Sequence, residues 1–109
     1  MKIIEIPTPV QRYLDADASG NDEQLAQCFT ADAKVLDERH TIQGPDAIKE
    51  WKQASRQKYQ YTVEPLKILH EGETSRLTAR VSGTFPGSPV ELTYRFVLRD
   101  DRIAELEIH

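Results

Sequence analysis

The sequence predicts an α+β protein in which three helices in the first half of the chain pack on a curved antiparallel sheet. Apolar residues in the first half recur with the 3.6-residue period of a helix. In the second half they alternate with polar residues, which is the period of strands that bury one face. Because no repeat or linker interrupts the chain, residues 1–109 are expected to form one domain with one core.

The first two predicted helices follow each other closely. Residues 8–19 place four residues on one helical face: Val10, Tyr13, Leu14 and Asp17. Gly20 fits the end of this helix, because glycine readily adopts the left-handed conformation found there. Asn21 or Asp22 can then cap a second helix, which is predicted to continue through Phe29.

The third helix is predicted in "GPDAIKEWKQASRQKY", residues 44–59. Pro45 suits its first turn, and Asp46 suits the positive end of its dipole. One face of this helix carries Ile48, Trp51 and Ser55. Lys52 is assigned to the exposed surface of the same helix.

Four strands are predicted to follow as an antiparallel meander. The first covers about residues 61–69, and the last lies in "RIAELEIH", residues 102–109. The alternation assigns the inward rows of the two middle strands as Leu77, Ala79, Val81, Gly83 and Phe85, and as Val90, Leu92, Tyr94, Phe96 and Leu98. The intervening "HEGET", "PGSP" and "RDDR" are typical of turns and loops.

A further short strand, residues 33–39, places an acid on an apolar face. Its alternate side chains are Ala33, Val35, Asp37 and Arg39. A carboxylate beside apolar neighbours is desolvated, which raises its pKa and makes it a better general base near neutral pH. Asp37 is therefore the candidate proton-transfer residue. The alternative is an acid at the end of a hairpin that caps a turn or pairs with Arg39.

Composition and charge argue against several other classes of function. The net charge is −4 with the signs interspersed, whereas nucleic-acid-binding and anionic-membrane-binding proteins usually present a basic face. The opening "MKIIEIPTPV" lacks the apolar run of a signal peptide or a membrane span, so we expect a cytoplasmic protein. A single cysteine, Cys28, and three scattered histidines give neither an internal disulfide nor metal-ligand spacing.

The order helix, helix, short hairpin, helix and long meander resembles the nuclear transport factor 2-like superfamily. The most telling stretch is "VQRYLDADASGNDEQLAQCFTADAKVLDERHTIQGPDAIKEW", residues 10–51. It carries a tyrosine in the first helix, Phe and Ala-Asp-Ala before a strand, an aspartate on that strand, and a glycine before the third helix. The superfamily includes the SnoaL-like polyketide cyclases and the ketosteroid isomerases. The resemblance implies a cystatin-like cone with an apolar pocket in its mouth.

The resemblance also implies roles for particular residues. Tyr13 matches the isomerase tyrosine that hydrogen-bonds a developing oxyanion, and Asp37 matches the aspartate that moves the proton. The isomerases carry a protonated aspartate where this chain has approximately Tyr94, which departs from their pattern. The residues expected to contact a ligand are Asp17, Trp51, Tyr94 and Phe96. The alternative for Asp17 is a capping or solvated role, and for Trp51 and Tyr94 it is a place in the core.

Three functions fit these features. The leading hypothesis is a SnoaL-like isomerase, cyclase or dehydratase that moves a proton next to a carbonyl or hydroxyl of a small apolar, cyclic molecule without a cofactor. Asp37 would shuttle the proton, while Tyr13, with Tyr94 as a second donor, would stabilise the oxyanion. The alternatives are a noncatalytic ligand-binding or dimerising module of the same fold, and a protein-binding role like that of transport factor 2 itself.

The outward rows of the sheet predict a homodimer. These rows are polar but rich in threonine, including Thr93, and so suit a packed sheet surface. Glu105 and Glu107 on the last strand offer charge partners for Arg80 and Arg95. Relatives with the resembling fold often dimerise through this face. A solvated face is the alternative.

Overall fold

The computed structural model describes residues 5–109, in which helices precede and interrupt a single sheet. The helices are α1 (Thr8–Ser19), α2 (Asp22–Gln27) and α3 (Pro45–Tyr59). The strands are β1 (Phe29–Asp37), β2 (His40–Gln43), β3 (Thr62–Glu71), β4 (Thr74–Ser82), β5 (Val90–Arg99) and β6 (Arg102–Ile108). None of the helices in the described part of the chain has the length and apolar character needed to cross a membrane. The expectation that the chain opens without a signal peptide concerns in part residues 1–4, which lie outside the described residues.

The six strands form one mixed sheet in the order β2–β1–β6–β5–β4–β3. Strands β3 to β6 form the predicted meander, each antiparallel to the next. The prediction of a wholly antiparallel sheet is wrong at one junction, because β1 runs parallel to β6. Alternation along a strand shows which face is buried but does not show which strand lies beside it. The parallel pair joins the β1–β2 hairpin to the meander and makes β6 a central strand.

The predicted second helix is too long at its end. Helix α2 finishes at Gln27, and Phe29 opens β1 instead of closing the helix. Pairing with β6 decides this boundary, since the Ile103 amide donates to the Cys28 carbonyl at 2.7 Å. The start of the helix agrees with the prediction, because the Asn21 side chain accepts from the Gln24 amide at 3.1 Å.

The predicted strand at residues 33–39 is displaced toward the start of the chain. Arg39 does not lie on β1, because Glu38 and Arg39 both have positive φ and form the two-residue turn to β2. Two successive left-handed residues are the geometry of a tight hairpin turn. Asp37 is therefore the last residue of β1 and faces His40 across the hairpin.

The core lies between the helices and one face of the sheet. Leu77 on β4 faces Tyr94 on β5, and Phe96 faces Leu106 on β6, so the inward rows form one continuous buried surface. The helices bury Val10, Tyr13, Leu14, Leu25 and Ile48 against it. The predicted rows extend too far at their ends. Strand β4 stops at Ser82, so Gly83 and Phe85 belong to the following loop, and Val90 is 36% exposed.

The loop formed by residues 83–89 is fastened to the end of α3. The amide and hydroxyl of Thr84 both donate to the Tyr59 carbonyl, at 2.8 and 3.0 Å. A Cβ atom at Gly83 would lie 2.6 Å from the same carbonyl oxygen, so this close approach requires glycine. The Tyr59 and Phe85 rings meet edge to face, with centroids 5.8 Å apart. The loop is thereby held beside the exposed end of the core.

Candidate functional site

A cavity of about 430 Å³ opens between α3, the sheet and the loop of residues 83–89. Its volume is in the range of small-molecule sites in proteins. Apolar and aromatic side chains supply most of its wall, including Trp51, Tyr59, Tyr61, Phe85, Leu92, Tyr94 and Ile108. Among the described residues, its ionisable lining apart from the tyrosines consists of Asp37, Glu38 and Lys52. Few polar groups in a mostly apolar wall are typical of a site that binds and orients an organic molecule.

Asp37 enters the cavity wall at the end of β1. The Trp51 indole Nε1 of α3 donates to Asp37 Oδ2 at 2.9 Å. Burial raises the pKa of Asp37, and the Trp51 hydrogen bond opposes this by stabilising the charged form. No ion pair joins Asp37 to Arg39 within residues 5–109. The carboxylate is therefore half-buried and oriented by the Trp51 indole, and its other oxygen has no side-chain donor within residues 5–109.

A buried polar cluster lies next to the cavity and is centred on Asp17 of α1. Lys52 Nζ donates to Asp17 Oδ2 at 3.3 Å and to the Tyr61 hydroxyl at 2.6 Å. Arg56 Nη2 and the Tyr61 hydroxyl donate to Asp17 Oδ1 at 3.2 and 2.9 Å. Both Asp17 and Lys52 are more than nine-tenths buried. The expectation that Lys52 is a surface residue is wrong, because it lies one helical turn after buried Ile48 and follows the same face inward.

The charges in this cluster are balanced. Arg56 Nη1 also forms an ion pair with Asp22 Oδ1 at 2.6 Å. Two cations, Lys52 and Arg56, thus face two carboxylates, Asp17 and Asp22. Burial lowers the pKa of Lys52, while the charge and the hydrogen bond of Asp17 act in the opposite direction.

Aromatic rings surround the Lys52 ammonium. Its Nζ lies 4.6 Å from the ring centroid of Trp51 and 5.1 Å from those of Tyr13 and Tyr61. Such cation–π contacts offset part of the cost of removing an ammonium from water. The ring faces and the Asp17 carboxylate together explain how a lysine can lie inside this core.

The structure brings three of the predicted site residues to the cavity and places the others behind it. Asp37, Trp51 and Tyr94 line the cavity, whereas Tyr13, Asp17 and Phe96 do not. Phe96 is fully buried and meets the Tyr13 ring edge to face at 5.5 Å. Asp17 bonds Lys52, Arg56 and Tyr61 and is buried, so it is not the solvated acid considered as the alternative.

The Tyr13 side chain is fully buried, and its hydroxyl has no hydrogen-bond partner in the described part of the protein. Burial raises the pKa of Tyr13 well above its usual value, and the nearby Asp17 charge adds to this. Tyr94 differs, since its ring stacks on Phe96 while the side chain also reaches the cavity. Burial raises the pKa of Tyr94 as well. Both tyrosines are neutral donors at physiological pH.

Sequence reasoning missed three cavity residues, Lys52, Tyr61 and Glu38. Tyr59, which its helical spacing made either a core residue or a ligand contact, also lines the cavity. The Tyr59 hydroxyl donates to Glu38 Oε1 at 2.6 Å and so connects the end of α3 to the hairpin turn. A signal for Lys52 was present, because an acid on the buried face of α1 requires a cation from a neighbouring element. The contact between Tyr59 and Glu38 depends on the turn geometry and left no comparable signal.

Comparison with known proteins places the chain among proteins of this architecture. A family model described as a SnoaL-like domain matches residues 10–106. A solved structure of a candidate polyketide cyclase from Sinorhizobium meliloti is 43% identical, with a TM-score of 0.93 over 95% of each chain. No curated protein matches the chain.

More distant structures share the fold. A protein from Catenulispora acidiphila with a ketosteroid isomerase-like fold, solved with trimethylamine, is 20% identical with a TM-score of 0.84, over 96% of this chain and 86% of its own. An epoxide hydrolase/cyclase-like enzyme, linked to pyran ring formation in salinomycin, is 18% identical with a TM-score of 0.79, over 92% of this chain and 85% of its own. At these identities the likeness shows the fold alone.

The fold class is therefore that of the nuclear transport factor 2-like proteins, as the resemblance in residues 10–51 predicted. Within this class, the chain belongs to the SnoaL-like domain family.

Replacing Tyr13 with phenylalanine should leave the free energy of unfolding unchanged or raise it by up to about 1 kcal/mol, because an unpartnered buried hydroxyl is unfavourable. Tyr61→Phe is the matched control. It removes a hydroxyl that bonds both Asp17 and Lys52, and should lower stability by about 1–3 kcal/mol. Urea denaturation of both variants measures these changes in the free energy of unfolding. A loss above about 1 kcal/mol in Tyr13→Phe would show that the hydroxyl has a partner.

Replacing Asp37 with asparagine should stabilise the protein at neutral pH. Burial raises the folded-state pKa of Asp37 above its ordinary value of 3.8, so ionisation of this group costs stability as the pH rises from 3.8 through the folded-state pKa, and the full cost applies above that pKa. The gain in Asp37→Asn should therefore develop over that interval, persist at pH 7 and be absent below pH 3.8.

The control for this pH dependence is Asp32→Asn on the same strand. Hydrogen bonds from Thr30 and Arg99 lower the pKa of Asp32 below 3.8, so its replacement should reduce stability in full above pH 3.8, and this loss should fade as the pH falls through the folded-state pKa. Denaturation midpoints from pH 3 to 8 provide the comparison. Equal pH profiles for wild type and Asp37→Asn would contradict the raised pKa.

Proposed function

We propose that this protein is a cofactor-independent enzyme of the isomerase or cyclase type, which transfers a proton on a small apolar, cyclic carbonyl compound bound in the cavity. The observation that carries the proposal is the half-buried Asp37 carboxylate in an apolar cavity wall, oriented by Trp51 and with a raised pKa. A pKa shifted toward neutrality suits a group that must both take up and release a proton.

The proposed step begins with Asp37 as general base. Its free oxygen takes a proton from the carbon next to the substrate carbonyl. The C–H electron pair forms a carbon–carbon double bond, and the carbonyl π pair moves onto oxygen to give an enolate. When the substrate is a β,γ-unsaturated ketone, this enolate is a dienolate. The oxygen pair then re-forms the carbonyl, the double bond moves between the α and β carbons, and the γ carbon takes the proton back from Asp37, which completes an isomerisation. Attack of the enolate carbon on a second carbonyl of the same molecule, followed by protonation of the new alkoxide, completes a cyclisation.

The composition of the cavity supports an apolar substrate with at least one ring. Val81, Leu92 and Ile108 contribute apolar sheet side chains to the wall, and the loop contributes Phe85 and Pro86. The Sinorhizobium relative, named a candidate polyketide cyclase, agrees with a cyclic polyketide as the substrate class. A noncatalytic ligand-binding module of the same fold is the alternative, since the same wall would hold such a molecule without turnover.

The test uses hydrogen exchange of a simple ketone probe. Wild-type protein in D₂O should accelerate exchange of the protons next to the carbonyl of 2-tetralone, followed by proton NMR. Asp37→Asn should reduce the catalysed rate by about 10²–10⁴-fold, the usual contribution of a general base. Asp32→Asn, an exposed acid on the same strand, should keep the wild-type rate. Saturable binding of 2-tetralone with no exchange would instead support the noncatalytic module.

We also propose that two copies of the chain associate through the outer face of the sheet. Thr78 and Thr93 face each other at its centre. Arg95 donates to Glu107 Oε1 at 3.1 Å and to Glu105 Oε1 at 2.5 Å, so its charge is paired on this partly buried face. The pairing expected for Arg80 differs, because it bonds Glu64 of β3 and not an acid of β6. Paired charges and threonines that face each other across the strands suit a packed interface.

Light scattering tests this association. Wild type should have the mass of a dimer at micromolar concentration, and Thr93→Arg should shift it to a monomer because a long charged side chain would separate the two sheets. Gln11→Arg, on the exposed surface of α1, should remain dimeric. The proposed interface would be contradicted if the wild type were a monomer, or if Thr93→Arg remained a dimer.

A further inference from the structure

Lys52 brings a positive charge to the cavity that Asp37 also lines. The residue belongs to the cavity wall even though only 3% of its surface is exposed. A lysine ammonium has three N–H donors. Two of them are engaged by Asp17 and by the Tyr61 hydroxyl, and the third has no acceptor within residues 5–109. This third donor lies among the ring faces of Trp51, Tyr13 and Tyr61 and meets no protein oxygen or nitrogen in that range.

Asp17 alone does not neutralise the positive charge of Lys52. Asp17 divides its negative charge between Lys52 and Arg56, so neither cation has a carboxylate to itself. Arg56 is further balanced by Asp22. With that cluster neutral as a whole, Asp37 is an additional carboxylate near enough to oppose the lowering of the Lys52 pKa. Lys52 therefore adjoins a cluster that is neutral as a whole and is also near Asp37, the acid that takes up the proton in the proposed reaction.

Asp37 and Lys52 contact the same indole from different directions. The carboxylate accepts from the ring edge, at Nε1 of Trp51, and the ammonium lies over a ring face, 4.6 Å from the centroid. The two groups therefore lie on different sides of one ring that lines the cavity. The Tyr13 hydroxyl is not in this position, because Tyr13 lies behind the cavity wall.

We infer that Lys52 is the oxyanion-stabilising catalytic residue of this site, with its free N–H bonded to the substrate carbonyl oxygen as that oxygen becomes negative. The inference rests on the proposed function and gives Lys52 the role that the family resemblance suggests for Tyr13. It also narrows the substrate class to molecules with a carbonyl or phenolic oxygen that can carry negative charge. When Asp37 takes the proton, negative charge leaves the carboxylate and appears on that oxygen, so the total charge beside Lys52 is conserved. Lys52 stays protonated throughout.

The low pKa of Lys52 agrees with this role. Burial makes the ammonium a stronger acid and hence a stronger hydrogen-bond donor to an oxyanion. The bond would act in a water-poor wall and would be preorganised by Asp17 and Tyr61. Hydrogen bonds to charged groups contribute about 1.5–3 kcal/mol, which corresponds to roughly 10–100-fold in binding of an anion.

The test measures binding of an oxyanion separately from turnover. The probe is 4-nitrophenol, whose absorbance distinguishes phenol from phenolate, and nitrobenzene is its counterpart without the oxygen. Wild type should prefer 4-nitrophenolate to nitrobenzene and lower the pKa of the bound phenol. Lys52→Met should reduce that preference by at least about tenfold, while Lys52→Arg should restore part of it. Lys49→Met, a partly exposed lysine on the same helix, should match wild type.

A second measurement does not depend on the folding of the Lys52 variants. In wild type with ¹⁵N-labelled lysine side chains, 4-nitrophenolate should shift the Lys52 ammonium resonance and leave that of Lys49 in place. No preference for the phenolate in wild type, an unchanged preference in folded Lys52→Met, or an unmoved Lys52 resonance would overturn the inference.

The variant Asp37→Asn separates this inference from the proposed function. It should retain Lys52-dependent binding of 4-nitrophenolate, because it removes the base and a competing negative charge but leaves the cation in place. Phenolate binding that depends on Lys52, together with ketone exchange that does not depend on Asp37, would reject the proposed base and keep the oxyanion site. Loss of phenolate binding in Asp37→Asn would show that Asp37, and not Lys52, holds the phenol, and would overturn the inference.

Discussion

The buried Asp17 carboxylate is the constraint on which the arrangement of this protein depends. An ionised acid inside a core must be paired and hydrogen-bonded, and α3 supplies both cations that meet it. Tyr61, at the start of the meander, adds a third donor. One side chain thus fixes α1, α3 and the first residues after α3 relative to one another. Because desolvation offsets most of the attraction between buried ions, such a cluster gives little net stability compared with apolar packing. Its main effect is to define geometry.

That geometry reaches the cavity through two consecutive residues. Trp51 and Lys52 are neighbours on α3 and project about 100° apart around the helix axis. Lys52 turns toward Asp17 while the Trp51 indole reaches Asp37 at the end of β1. Any rotation of α3 that preserved one contact would disturb the other. The position of the candidate base on the sheet is therefore linked to the ion pairs between the helices, although no atom of Asp17 lines the cavity.

Much of this arrangement could be predicted from sequence, and the exceptions have physical reasons. Period-2 alternation identified the inward faces of β4 and β5 and placed Asp37 on an apolar row, because parity along a strand is a local property. The parallel pairing of β1 with β6 could not be read in this way, since it depends on which strands meet after the chain has crossed the sheet. Lys52 was missed because its charge favoured an exposed position. Two features of the sequence indicated a buried position instead. Lys52 lies one helical turn after Ile48, and the acid on the inward face of α1 needs a cation as its partner.

The placement of β6 has a consequence for how the chain is made. Strand β6 lies between β1 and β5, so it is the only link in the described sheet between the early hairpin and the meander. A ribosome delivers residues 29–43 about sixty residues before their partner at 102–108 emerges. Until then β1 has an open edge and a half-covered apolar face, which is the situation in which a nascent chain is most exposed to mispairing or to capture by chaperones. Contacts between such distant parts of a sequence also slow folding. The link between the early hairpin and the meander therefore cannot form until residues 102–108 have been made.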